Sequence, residues 1–238
     1  MSVNLSTMLR EGTKESHTMA ENMGFIKCFL KGAVEKNSYR KLTANFYFVY
    51  SAMEEELERL KEHPVLAPMY FPELNRKQSL ERDLAYYYGS NWREEIQLSA
   101  AGQKYVNRIH EVAQTQPELL LAHLYTRYIG DLSGGQILKK IAQRGMNLSE
   151  GEGTSFYEFP EIPDEKAFKT KYRQAMDNLP IDQAMAEAIV DEANGAFHQN
   201  MELFQELEGN LIKAIGQMLF NSLTRRRGRG STEFATAD

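Results

Sequence analysis

The 238-residue chain carries 28 Lys and Arg against 33 Asp and Glu, a formal net charge of −5, which excludes the broadly basic face that bulk nucleic-acid binding needs. Its 42% hydrophobic content suits a domain with a full core, and its one cysteine, Cys28, excludes an internal disulfide or a thiolate metal cluster. No run reaches the roughly 18 apolar residues of a membrane span, and the start MSVNLSTMLREGTKESH lacks a signal-peptide core, so a soluble, cytoplasmic protein without a membrane anchor is expected.

In chain order, REGTKESHTMAEN comes first and sets His17 and Glu21 four residues apart, on one face if helical. The spacing admits two readings: a surface His–Glu pair, or an imidazole oriented by a carboxylate behind it, as metal-bound histidines are. From Tyr39 the apolar positions Leu42, Phe46, Val49, Tyr50, Met53, Leu57 and Leu60 step by three and four, predicting a long helix capped by Asn37 or Ser38 and ended by Pro64. The run AYYYGSNW reads as packing and helix termination. Residues 99–115 put Tyr105, Ile109 and Val112 on one helical face, and Pro117 suits the start of the next helix.

Leu119–Leu124 and Ile137–Ile141 both read as helix, yet Gly130, Gly134 and Gly135 lie between them. Each costs a helix about 1 kcal/mol relative to alanine. Either the helix breaks at Ser133–Gly134–Gly135, or a bare helical ridge lies over a planar group, with Asp131 and Ser133 as polar neighbours. Residues 146–164 form the main irregular loop, and Asp164 caps a helix bearing Phe168, Tyr172 and Met176. A final helical region covers 181–223, with kinks or breaks expected at Gly195, Gly209 and Gly216. Nothing alternates with period two, so one all-α domain over 1–223 is expected, followed by a basic polar tail, 224–238, expected to be disordered. That tail is either a solvated terminus or a docking handle for an acidic partner.

A helical bundle can carry a di-iron site through Glu-x-x-His pairs. The residues three before His17, His63, His110, His123 and His198 are Lys14, Leu60, Asn107, Leu120 and Gly195, so that class loses its main support. His63 and His110 read as surface or turn residues, and His123 and His198 as structural histidines on half-buried faces.

The segments TKESHTMAEN, YFVYSAMEEELER, PVLAPMYFP, AHLYTRYIGDLSGGQILKKIAQ, FKTKYRQAMDNL and EANGAFHQNMELFQEL together resemble the haem oxygenases, of the soluble ferredoxin-dependent kind found in photosynthetic organisms. The resemblance spans roughly residues 6–223 and keeps the order of the segments. It implies an all-α fold holding haem b, both substrate and cofactor, between a proximal and a distal helix. It makes His17 the axial iron ligand, Glu21 the acid one turn away, and Arg10, Tyr125, Lys169 and Arg173 the propionate contacts. The basic groups suit carboxylates, and the phenol adds a hydrogen bond. Gly130 and Gly134 match a flexible distal helix, with Ser133 beside it. Asp131 matches a distal acid organising water, Tyr50 and Arg127 the outer part of that network, and Phe197 and Asn200 residues near the pocket.

The reaction implied is opening of haem at its α-meso edge to biliverdin, carbon monoxide and ferrous iron, with oxygen and electrons from reduced ferredoxin, the product passing to a bilin reductase. A neutral imidazole is a milder donor than a thiolate, and an acid–water network delivers protons without a distal base on the bound oxygen. Lys14, Lys139, Lys140 and Arg144 are either a positive rim that steers an acidic ferredoxin or ordinary solvated helix. Cys28 is followed by Phe29, so the Cys-Pro motif of some relatives is absent there. Two other readings stand beside the enzyme: a haem carrier or sensor, which needs no Asp131, and a same-fold enzyme using Cys28 as nucleophile, which has no activating partner nearby in sequence.

Overall fold

The computed structural model describes residues 3–32 and 34–227, with side chains as far as residue 207. Eleven α-helices occur among the described residues, and no strand. In order they are α1 (Leu5–Gly12), α2 (Lys14–Glu21), α3 (Gly24–Leu30), α4 (Lys36–Arg59), α5 (Lys77–Tyr88), α6 (Trp92–Glu95), α7 (Ala100–Thr115), α8 (Leu120–Leu124), α9 (Gly130–Met146), α10 (Glu165–Asp177) and α11 (Gln183–Arg227). None of the described helices is long and apolar enough to cross a membrane.

α4 and α11 are the two supports. The stripe on α4 is buried as its spacing predicts: Val49, Tyr50 and Met53 are wholly enclosed, with Tyr39, Leu42, Phe46 and Leu57 nearly so. Its cap differs from expectation. The helix begins at Lys36, and the Glu35 carboxylate, not Asn37 or Ser38, accepts the first-turn N–H groups of Asn37 at 2.8 Å and Ser38 at 2.6 Å. An acid at that end also complements the helix dipole, and Ser38 is drawn into the core, donating its hydroxyl to Glu35 at 2.8 Å. The expected cap at Asp164 forms, accepting from Ala167 at 2.9 Å, and Ser99 caps α7, accepting from Gly102 at 3.1 Å. α5 stops where Gly89 takes φ +84°, as the AYYYG run suggests.

α11 packs against α1, α2, α3, α7 and α8. Gly195, Gly209 and Gly216 do not interrupt it; around Gly195 the burial of Ala186, Ile189, Ala193 and Ala196 outweighs the glycine's cost of about 1 kcal/mol. The helix is described to Arg227, past the expected boundary at 223, and the remainder of the expected tail, 228–238, lies outside the described residues.

The glycine-rich stretch is likewise unbroken: α9 runs straight through Gly134 and Gly135. The irregularity sits upstream, where Tyr125–Ile129 widen into a π turn joining α8 to α9. Such turns recur at functional sites because the extra residue re-aims side chains. The loop over 146–164 does form, but Thr154, Ser155, Phe156 and Tyr157 within it are buried.

Candidate functional site

A slot opens between α2 on one side and the π turn with α9 on the other, α11 closing its back. His17, Thr126, Gly130 and Phe197 line its whole depth. Inward it is apolar, walled by Phe25, Phe29, Phe46, Phe156 and Phe204; outward it is polar, bordered by Arg10, Lys14, Tyr125 and Ser133.

The α2 wall presents one donor. Ser16 is buried and its hydroxyl donates to Asn194 Oδ1 at 2.6 Å, tying α2 to α11, and the next residue, His17, turns into the slot. Its side chain is 57% exposed; Nδ1 stands 3.8 Å from Glu21 Oε1, too far for a hydrogen bond, and the ring meets the edge of Phe197 at 5.8 Å.

The opposite wall holds a closed polar network. Arg127, which the π turn sends inward, donates through Nε to the Tyr50 hydroxyl at 2.9 Å and through Nη1 to Asn200 Oδ1 at 2.7 Å. Nη2 stands 3.5 Å from Asp131 Oδ1, and the guanidinium lies 4.3 Å from the centre of the Phe46 ring. Tyr50 donates to Asp131 Oδ2 in a short hydrogen bond, and Asn200 Nδ2 reaches Tyr105 at 3.4 Å. Burial pushes the Asp131 carboxyl above its ordinary range, while Arg127 and the Tyr50 hydrogen bond hold it back. Burial pushes the Tyr50 phenol well up too. A carboxyl held that way keeps its proton more readily than a solvated one, so it can give and retake protons beside the slot.

Gly130 forms the bare part of this wall, and Gly134, one turn further along α9, is bare too but does not itself line the slot. A Cβ built on either would meet nothing within 4 Å, whereas one on Gly135 would stand 3.4 Å from Tyr157. The Thr126 hydroxyl is buried in the slot without a partner. An open cradle, an orphaned hydroxyl, an imidazole facing them and an apolar interior fit a flat metallated ring with polar edges. Unlike a metal bound by side chains alone, such a ring brings most of its own ligands, so one histidine suffices.

The other expected residues fall around the outer half. Arg10 is held by Glu11 at 2.9 Å, both exposed, so an anion entering there displaces a neighbouring carboxylate. Burial raises the Tyr125 phenol, while its hydrogen bond with Thr13 and the charges of Arg173 and Arg10 lower it. Arg173 therefore stands near the polar mouth, but neither it nor Lys169, four residues before it on α10, lines the slot. Ser133 is exposed at the mouth. Lys139 is engaged with Glu158 at 2.7 Å, while Lys140 and Arg144 are exposed.

Tyr50 and Arg127, expected on the outer part of the network around Asp131, touch its carboxylate directly. Sequence reasoning missed Thr126 and Tyr105. Thr126 sits within the quoted YTRYIGD run as a polar residue between two expected site residues. Tyr105 hides in an apolar stripe, where only its hydroxyl sets it apart. His198 is exposed, not half-buried, because the buried line of α11 passes through Ala196 and Asn200. His110 lies against buried Glu56 at 2.7 Å, more enclosed than a surface residue, and His123 is fully buried against Glu192 at 3.0 Å.

The heme oxygenase family model matches residues 3–206. The chain is 73% identical over 237 residues to heme oxygenase 1 of Synechocystis sp., covering 100% of this chain and 98% of that protein. It is 68% identical to heme oxygenase 1 of Nostoc sp. over the full length of both. A crystal structure of heme oxygenase-1 from the cyanobacterium Synechocystis sp. in complex with heme superposes with a TM-score of 0.90 at 73% identity, covering 93% of this chain and 100% of that one.

Proposed function

This chain belongs to the haem oxygenase family, and from that premise we propose that it opens haem b at the α-meso edge to biliverdin, carbon monoxide and ferrous iron, using oxygen and electrons from reduced ferredoxin. Haem, when bound, supplies the iron at which oxygen is reduced and the ring that is opened. His17 holds the iron from the α2 side, Glu21 acting on the imidazole from one turn away. Arg10 and Tyr125 receive the propionates at the polar mouth, and Lys169 and Arg173, which do not line the slot, reach toward them from α10 on binding, together fixing the rotation of the ring. Phe197 packs beside the imidazole, and Ser133 stands at the polar mouth.

Asp131 holds water on the distal face and passes protons to it. Tyr50 and Arg127 fix the orientation of that carboxyl, and Asn200 fixes Arg127. Without a Cβ at Gly130 or Gly134 the main chain can stand close over the ring and crowd one edge, and the same stretch can yield for product release. Ferredoxin as electron donor and a bilin reductase as the next enzyme follow the resemblance to the photosynthetic type.

The observation carrying this reading is the placement of a nearly enclosed, partnered Asp131 beside the bare Gly130 and across one slot from His17. A carrier that only stores haem has no use for that acid. Adding haemin, then oxygen with reduced ferredoxin, tests it. Loss of the Soret band with growth of biliverdin absorption is expected; a Soret band that persists under turnover conditions would overturn the reaction and leave a binding protein.

A further inference from the structure

Lys139 faces away from the slot, and its role lies with the loop behind the distal helix. Gln136, Lys139 and Gln143 fall on one face of α9. Gln136 Nε2 donates to the Tyr157 carbonyl at 3.1 Å, Lys139 Nζ to Glu158 Oε1 at 2.7 Å and Gln143 Nε2 to Thr154 Oγ1 at 3.4 Å. With Tyr157 packed on Gly135, α9 is fastened from Gly135 onward, while Gly130 and Gly134 touch nothing on their open side.

The loop is itself fixed from the other side by α5. Asp83, 1% exposed, accepts the N–H groups of Ser155 and Phe156, each at 2.8 Å. Tyr87 donates to the Gly153 carbonyl at 2.8 Å; at Gly153 φ is +65° and a Cβ would stand 2.6 Å from that hydroxyl, so only glycine fits. Arg76, 3% exposed, donates to the Leu74 carbonyl at 2.9 Å, to Phe156 at 3.4 Å and, more closely, to Glu158, its guanidinium 3.8 Å from the Phe159 ring centre. Residues 76, 83 and 87 are spaced by seven and four, one face of a helix. Two buried charges spent on irregular backbone are expensive unless fully bonded, and both are bonded to the same six-residue stretch, 154–159.

We propose that Arg76, Asp83 and Tyr87 are positioning residues for the reaction: they make Thr154–Phe159 a rigid strut that pins α9 from Gly135 onward, leaving the bare Gly130 and Gly134 as the points where the distal backbone can bend. The strut thereby sets how closely the main chain stands over the ring, and so which meso edge is attacked, from outside the slot. This rests on the reading of the slot as the haem site. Tyr157 transmits the constraint, since it belongs to the strut, lines the slot and bears on Gly135.

The test cuts the strut at each end. Gln136→Ala with Lys139→Ala removes two fastenings at the loop-facing side of α9. Alanine favours helix over either residue, so a loosened α9 in this variant cannot be ascribed to weaker helix propensity. Asp83→Asn weakens the α5 end. In haem-free protein, amide exchange over 135–146 is expected to quicken at least tenfold in the double variant while α4 and α7 keep their protection. In the haem-loaded enzyme, biliverdin isomers absent from wild type are expected at a tenth of product or more. Lys139→Arg, which keeps the ion pair, is expected to keep the wild-type isomer pattern. The proposal is overturned if α9 exchange rises no more than that of α4 and α7 in either the double variant or Asp83→Asn, or if it rises while isomer composition stays fixed. The exchange arm contains no haem, so it judges the strut even should the wild-type chain prove unable to open the ring.

Discussion

His17 stands on an eight-residue helix with its side chain 57% exposed and its acidic neighbour 3.8 Å away. Across the slot, Asp131 is enclosed by Tyr50 and Arg127, and Arg127 in turn by Asn200. The first wall offers a donor that only a ligand will order; the second is ordered before any ligand arrives. That division follows from what each must do. An axial ligand gains its orientation from the bond it makes, whereas a proton-handling acid works only if its environment already sets its pKa and direction.

The largest effect that breaks this comparison is expected at His17. His17→Ala should leave the haem-free protein within about 1 kcal/mol of wild type, since the side chain is mostly solvated. Haem should bind more weakly, and turnover should drop to background unless imidazole is added. The Soret position and biliverdin yield, with and without imidazole, check this; normal turnover in the variant would remove His17 from the iron. Next in size is Asp131→Asn, expected to take up haem as wild type does while biliverdin formation slows by about 100-fold, the scale of a lost general acid. Single-turnover yield after haem titration reads both. An unchanged yield would deprive the ordered wall of its purpose.

The two walls also differ in how far sequence reveals them. The helix carrying His17 and its i+4 acid follow from spacing, as does the α4 stripe, because burial on one helical face leaves a period. What spacing leaves open, a surface pair or a ligand, is narrowed only by the resemblance and by the slot into which His17 turns. The distal network draws on α4, the π turn, α9, α11 and α7, so no local pattern records it: by spacing alone Tyr50 and Tyr105 read as core. The π turn left no signal, and the glycines drew attention to the right helix but to the wrong irregularity. The strut was least legible, since a loop that looks polar and irregular is held by buried Arg76 and Asp83 from another helix.

The smallest effect concerns a control within the same rod. His123, Arg127 and Asp131 are spaced by four, yet His123 meets a carboxylate whose pKa moves the opposite way. Burial pushes Glu192 up, but hydrogen bonds from His123 at 3.0 Å and from Arg108 at 2.6 Å outweigh it and hold the carboxyl down at about 2. A folded-state pKa below the ordinary 4.5 means this group contributes stability in full above that value and loses it as pH falls toward about 2. The shift corresponds to about 3 kcal/mol at neutral pH. Glu192→Gln is therefore expected to be destabilised by about 2–3 kcal/mol at pH 7 in urea unfolding, with the gap to wild type narrowing from about pH 4.5 downward and closing toward about pH 2. Asp131→Asn should run the other way, because a raised carboxyl costs the folded state more as pH climbs. Glu192 does not line the slot, so turnover per folded molecule at neutral pH should stay within about twofold of wild type. A gap that held constant down to pH 3, or a Glu192 variant as slow as Asp131→Asn, would erase the distinction between a carboxylate that braces the rod and one that works in it.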